Sequence, residues 1–406
     1  MRMTFAELAE RFISGIISKY SCFGEIVMVF DGYNDELSTK TDEHEGRSFA
    51  GKMAANVLIS ATGDTPVLSK REDFLRNHHN KKELIRYLRV RLVNTCIKSV
   101  QGCGDADTLI CSTALAAAVM GSRTVVVSDD TDVLLLLYYH HLPTMGDIYF
   151  QTSRKVPVIP KVGASDAQIR KATAKSKLPP IPMWWNIENL NDSDMPRHLA
   201  LFMHAWTGCD TTSAIYGKGK TSIITLLKNK AFQKTAETFV FGNASEDEIT
   251  TAGANMMVKM FGGKDNETPA SLRLAMWSRV MSNNKKLCPE QLCPTTRATH
   301  FHSLRVFLQV RRWETLDNRV LDPRLYGFHD NGKPIKTDVG PAPESVLNVV
   351  RCNCKTTSKN TCGTMICSCK KHGLPCVKAC GDCRGASCNN TSMAYREDED
   401  DEDDGY

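Results

Sequence analysis

Apolar and polar positions fall in blocks along this chain. Residues 1–20 carry a helical spacing. Residues 25–30, EIVMVF, form a short apolar run that stops at Asp31 and Gly32; residues 123–128, RTVVVS, form a second that stops at Asp129. Short β-branched runs of this kind predict buried strands. Between them, residues 81–101 read as a basic helix. Residues 105–120, DADTLICSTALAAAVM, read as another, with Asp at its start and Gly121 just past its end. The strand–helix–strand order predicts an α/β domain with a parallel sheet, in which ligands gather beyond the carboxyl ends of the strands.

Further along, residues 154–177 hold seven basic residues against one acid and are expected to form a mobile basic loop. Residues 196–206 look helical, YGKGK at 216–220 is a turn, and 221–229 is a short helix. Residues 231–325 read as mostly helical, and 331–346 as a Pro/Gly-rich linker. A cysteine-rich segment follows, then an acidic tail expected to be disordered.

Composition sharpens this picture in three places. The longest apolar run, Val133 to Tyr139, is seven residues, far short of the ~18 that a membrane span needs. The N-terminus has no signal-peptide pattern. A soluble, intracellular protein without membrane contact is expected. The net charge of +5 conceals eight consecutive acids from Glu397 to Asp404, so the rest of the chain carries +13. A basic body suits a polyanionic partner. Nine of the 16 cysteines sit between Cys352 and Cys388. An odd, clustered set in a reducing compartment points to metal rather than to disulfides.

The strand ends hold the candidate chemistry. Asp31 follows the first strand, Asp105 and Asp107 open a helix, Asp130 and Asp132 follow the second strand, and Asp210 lies in TGCD. Any one of them could be a cap: Asp105 is a good N-cap, and Asp130 could cap the helix starting near Val133. Two acids two residues apart, twice, exceed what capping explains. Clustered carboxylates repel unless a cation neutralises them. Oxygen-only clusters suit Mg²⁺ or Mn²⁺.

The motifs VMVFDG, GDADTLI, VVVSDDTD and TGCDTTSAIYGKGKTSIITLLK occur in that order. Together they resemble the acidic motifs of the flap-endonuclease/XPG-type 5′ nucleases, which have a PIN-like fold. The resemblance covers roughly residues 25–230. It implies a parallel sheet with helices on both faces and a helix-hairpin-helix element at about 207–230. It also implies up to two Mg²⁺ or Mn²⁺ ions held by Asp31, Asp105, Asp107, Asp130, Asp132 and Asp210, for phosphodiester hydrolysis in DNA, with RNA as a further possible substrate. The family opens with another strand ending in an acid, for which residues 1–20 offer no counterpart. Gly217, Lys218, Gly219 and Lys220 resemble the family's duplex-binding hairpin. Lys40, Arg47 and Lys52 stand where its helical arch begins.

The cysteine segment reads C-x-C-x7-C-x4-C-x-C-x6-C-x3-C-x2-C-x4-C. Its ligands would be Cys352, Cys354, Cys362, Cys367, Cys369, Cys376, Cys380, Cys383 and Cys388. Nine thiolates can hold three Zn²⁺ tetrahedrally if three of them bridge. With few large apolar residues, the segment would draw its folding free energy from metal. It resembles the tesmin-type CXC domain, including the CSCKKHGLPC core, and such domains bind DNA. The expected architecture is then a PIN-like domain over 1–230, a helical extension over 231–330, a linker over 331–346, a small zinc-stabilised module over 347–392 and an acidic tail over 393–406. The expected function is a metal-dependent, structure-directed nuclease in the nucleus, docked on DNA by its zinc module. The alternatives are a catalytically impaired DNA-binding protein of the same fold, or a scaffold in which the zinc module alone touches DNA. Cys288, Cys293, His300 and His302 are read as ordinary structural residues, because their spacing matches zinc ligation poorly.

Overall fold

The structure, a computed structural model, describes residues 3–32, 53–102, 106–155, 182–190, 196–282, 289–317, 321–335, 337, 352–356, 361–377, 380–385 and 388–390. The chain divides into two compact units. One comprises Met1–Ala205, Cys209–Thr211 and Leu308–Pro334; the other comprises Trp206–Gly208, Thr212–Phe307 and Ile335–Tyr406. Lys40, Arg47, Lys52 and most of the basic loop lie outside the described residues, as do Asp105 and the acidic tail.

In the first unit, α1 (Phe5–Tyr20) starts on a capping box between Thr4 and Glu7. Then come β1 (Ile26–Phe30), α2 (Arg71–Arg76), α3 (His78–Leu92) and β2 (Ile97–Gln101). They are followed by α4 (Ala106–Val119), β3 (Thr124–Val127), α5 (Thr131–His140), β4 (Ile148–Lys155) and β5 (Pro182–Asn186). The remaining helices are α6 (Ala200–Thr207), α7 (Lys220–Leu227), α8 (Lys230–Glu237), α9 (Glu246–Met260), α10 (Pro269–Ser282), α11 (Thr296–Thr315) and α12 (Ser368–Lys371). No described helix is long and apolar enough to cross a membrane.

The sheets are small. β1 pairs with β2 in parallel, Val29 opposite Val100. β3 pairs with β4 in parallel, Val126 opposite Phe150, and β5 closes that sheet antiparallel. The chain is thus α/β, with one parallel and one mixed sheet. The parallel sheet expected from the sequence is split: among the described residues β1 and β3 are not hydrogen-bonded to each other. α4 packs on both.

Two expectations are corrected. Residues 81–101 are not one helix. α3 ends at Leu92, where the Thr95 hydroxyl donates to the Leu92 carbonyl and accepts from the Ile97 N–H; the β-branched tail then pairs with β1. Nor is EIVMVF buried. None of the five β1 residues is, and Val27 is 36% exposed; Val127 on β3 is 48% exposed. A parallel strand is covered on both faces when it lies inside a sheet, and both of these are edge strands.

One part of the first unit's core lies between α1, α3 and the first sheet, and another holds Val133, Leu136 and Leu137 of α5 with Ile148 of β4. Phe5, Ala9 and Tyr87 pack with Phe30, and Ile13 and Leu92 with Ile97. The second unit is organised around Trp206. Its indole stands edge-on to Phe239 and His302, and its N–H reaches the Met260 sulfur at 3.3 Å.

Candidate functional site

β1 ends at Phe30, so Asp31 stands at the carboxyl end of the sheet. Its Oδ1 accepts the backbone N–H of Ala106, the first residue of α4, at 3.1 Å. Its carbonyl accepts the Gln101 side-chain amide at 3.0 Å, and Gln101 in turn accepts from Arg89 at 2.6 Å. The ends of β1 and β2 and the start of α4 are thereby tied together. Asp107 sits buried in the first turn of α4. Negative charge there is favoured by the helix dipole.

The acids after β3 are each held by a named donor. Asp129 accepts from the Thr152 hydroxyl at 2.6 Å. Asp130 is the N-cap of α5 and accepts the Asp132 N–H at 2.8 Å, the capping role expected of it. Asp132 is buried, and its Oδ1 lies 2.6 Å from Nε2 of the buried His204. The Trp313 ring backs that imidazole at 5.6 Å. Asp210 is half-buried, beside Thr211, whose hydroxyl donates to Gln309 at 2.6 Å.

The donor set around the strand ends is all oxygen, which fits Mg²⁺ or Mn²⁺. Its spacing is wider than a bound ion requires. Among the described residues, groups of three or more His, Cys, Asp or Glu with ligand atoms within 4.8 Å of one another consist of cysteines alone.

The glycines of the next motif are positioned by their backbone. Gly208 has φ +107°, and a Cβ there would stand 2.7 Å from the Ala214 Cα. Gly217 has φ +66° inside a turn closed by the Ile215–Lys218 bridge. Gly219 is the N-cap of α7 and offers no side-chain acceptor. Lys220 is exposed, while the Lys218 ammonium lies over the Phe261 ring, 5.1 Å from its centroid. Such a turn suits an anion.

The cysteine module gives the clearest geometry. Eight of its nine thiols are buried, and Cys354 is half-buried. Cys352 Sγ lies 3.7 Å from Cys362 and Cys376 and 3.8 Å from Cys383. Cys367–Cys376 and Cys369–Cys380 are 3.8 and 3.5 Å apart. A disulfide requires about 2.05 Å. Four sulfurs about 2.3 Å from one zinc stand about 3.8 Å from each other. These separations therefore match the edges of zinc tetrahedra. Four overlapping groups of four together include all nine cysteines, and Cys352 and Cys376 each belong to three of them. Burial pushes the Cys354 and Cys383 thiols up to about 11, and those of Cys362, Cys369 and Cys376 higher still. Thiols so placed ionise readily only when a cation supplies the counter-charge. The cluster can hold a metal such as zinc.

The other Cys/His candidates, where described, have partners within the protein or are buried. His300 Nδ1 pairs with Thr250 at 2.9 Å, and the His302 ring bonds the Trp206 carbonyl at 3.1 Å. Cys293 is buried, its thiol pushed up to about 12 by burial, and Cys288 lies outside the described residues.

Sequence reasoning missed His204, Thr152, Arg89 and Gln101. The first had a visible signal: it is the lone ionisable residue in ALFMHAWT, and a buried imidazole needs a partner. No protein-family model matches the chain, and no curated protein or solved structure matches it either.

Proposed function

We propose that this protein is a metal-dependent nuclease of the flap-endonuclease, PIN-like class, acting on DNA in the nucleus and docked there by a three-zinc CXC module. Asp31, Asp105, Asp107, Asp130, Asp132 and Asp210 would hold up to two Mg²⁺ or Mn²⁺ ions. Such ions supply an activated water and stabilise the leaving oxygen of a phosphodiester. The TGCD-to-GKGK segment would act as a helix-hairpin-helix clamp. It would grip the phosphate backbone without reading sequence. The reading rests chiefly on one observation: the Asp31 carboxylate meets the N-terminus of α4, so the acids of two separated motifs face the same end of one helix.

A second reading has its own support. Asp31, Asp129, Asp130 and Asp132 each engage a protein donor, and no described trio of carboxylates converges. A DNA-binding protein of the same fold without hydrolytic activity would show this. Incubating the zinc-loaded chain with flap, nicked and single-stranded DNA in Mg²⁺ and then Mn²⁺ separates the two. Metal-dependent strand cleavage supports the first; binding without cleavage in either ion supports the second.

A further inference from the structure

Among the described residues β5 is the outer strand of the mixed sheet. Val127 on β3 pairs with Gln151 on β4, and Gln151 with Trp184 on β5, so the three side chains form one row across one face. Trp184 is 42% exposed, and the Phe23 ring, itself 55% exposed, stands 6.0 Å from it. Tyr20 continues the line 6.5 Å beyond Phe23, with the Lys19 ammonium 4.7 Å over its ring. We infer that this line of rings is a stacking platform for the unpaired bases of single-stranded DNA. The inference rests on the DNA-binding part of the reading above and is independent of hydrolysis.

Three observations converge on that ligand. Successive exposed aromatic rings bind bases of any sequence, because every base has a π-face. Lys19 places a cation beside the rings, where a phosphate would lie; it makes no ion pair among the described residues, and the chain outside its acidic run carries +13. Gln151 is the third. It is 4% exposed, and its Oε1 is buried with no hydrogen-bond partner among the described residues. A buried acceptor without a donor costs stability until a ligand supplies one. Every unpaired base carries an N–H on its Watson–Crick edge, and a duplex uses that N–H in pairing. A base stacked on Trp184 donates it to Oε1 once the terminal amide turns outward, about a torsion that is broad in glutamine. An apolar protein segment laid on the same row would leave the acceptor unmade.

The test is fluorescence anisotropy of a labelled single-stranded oligonucleotide, and of the matching blunt duplex, with the full zinc-loaded chain. Trp184→Ala should weaken single-strand binding about 5–150-fold, the loss of one stacked base, and Trp184→Phe should stay close to wild type. Gln151→Leu removes the orphan acceptor. It should weaken single-strand binding while melting no lower than the wild type, which a merely structural glutamine would not do. Duplex binding should be unchanged in all three. Unchanged single-strand affinity in Trp184→Ala overturns the inference and leaves the DNA reading standing. Equal losses on single strand and duplex also overturn it. So does a wild-type dimer in sedimentation that Trp184→Ala dissociates, because a second copy then covers the row. No binding of either DNA by the wild type overturns the DNA reading itself, and the platform with it. If Trp184→Ala does not fold, tryptophan quenching decides. The oligonucleotide should quench the wild type more than Trp184→Phe, and equal quenching overturns the inference.

Discussion

The Asp31 carboxylate caps a helix that begins 75 residues further on, accepting the Ala106 N–H at 3.1 Å. One side chain thus serves the fold and, in the proposed function, a metal. The two roles separate by substitution. Asp31→Ala removes the acceptor and should cost about 1 kcal/mol, the usual loss of a cap. Asp31→Asn keeps an acceptor oxygen and should cost only a few tenths. Both should weaken Mn²⁺ binding. Denaturation midpoints read beside Mn²⁺ titrations check this; equal midpoints for the two variants would remove Asp31 from the cap.

The cysteine module makes a stoichiometric prediction. Cys352 and Cys376 each belong to three overlapping ligand groups, Cys354 and Cys388 to one each. A bridging thiolate serves two ions, a terminal one serves a single ion. Native mass spectrometry should show three zinc ions in the wild type. Cys352→Ser should lose more than one, and Cys354→Ser no more than one. Equal losses in the two variants would contradict bridging by Cys352.

The GKGK turn predicts a change in salt dependence. Lys220 is exposed at the start of α7, and Lys218 stands two residues before it in the turn. Replacing both with Ala should weaken duplex binding and lower the log–log salt slope by about one for each phosphate no longer neutralised. An unchanged slope would place DNA elsewhere.

How much of this was legible in the sequence differs by element. The ends of β1 and β3 were readable because each apolar run stops at an acid, those of α4 because an acid opens it and Gly121 follows it, and the cap role of Asp130 followed from its place before α5. β2 was hidden behind the basic helix, since Asn94 and Thr95 give only a weak break in an otherwise helical spacing. β4 and β5 were not foreseen. β5 is an edge strand beginning at Pro182, and its pairing with β4 depends on residues distant in sequence. The cysteine cluster was legible because its spacing is its core. The His204–Asp132 pairing was not, because nothing local links the two positions.

Acid sensitivity should trace in part to His302. Burial, then the nearby Arg305, hold its imidazole down at about 4, against an ordinary value of 6.5. The unfolded chain therefore binds a proton between these values while the folded chain does not. Stability should fall as pH drops through 6.5 and level off near 4, by about 3 kcal/mol for this group. His302→Gln keeps a donor for the Trp206 carbonyl and cannot titrate. Its stability should vary less over that range than that of the wild type, with zinc loss common to both chains. Parallel pH profiles would exclude His302 as the cause.

The central claim is hydrolysis at the carboxylates, and one comparison tests it most directly. Wild type and the Asp130→Asn, Asp132→Asn double variant, both zinc-loaded, are given flap-bearing DNA in Mg²⁺ and in Mn²⁺ at matched DNA occupancy. The account predicts weak cleavage by the wild type in Mg²⁺, stronger cleavage in Mn²⁺, which binds such ligands more tightly, and none by the double variant. Cleavage that survives in the double variant, or a wild type that binds DNA and cuts it in neither ion, would contradict it.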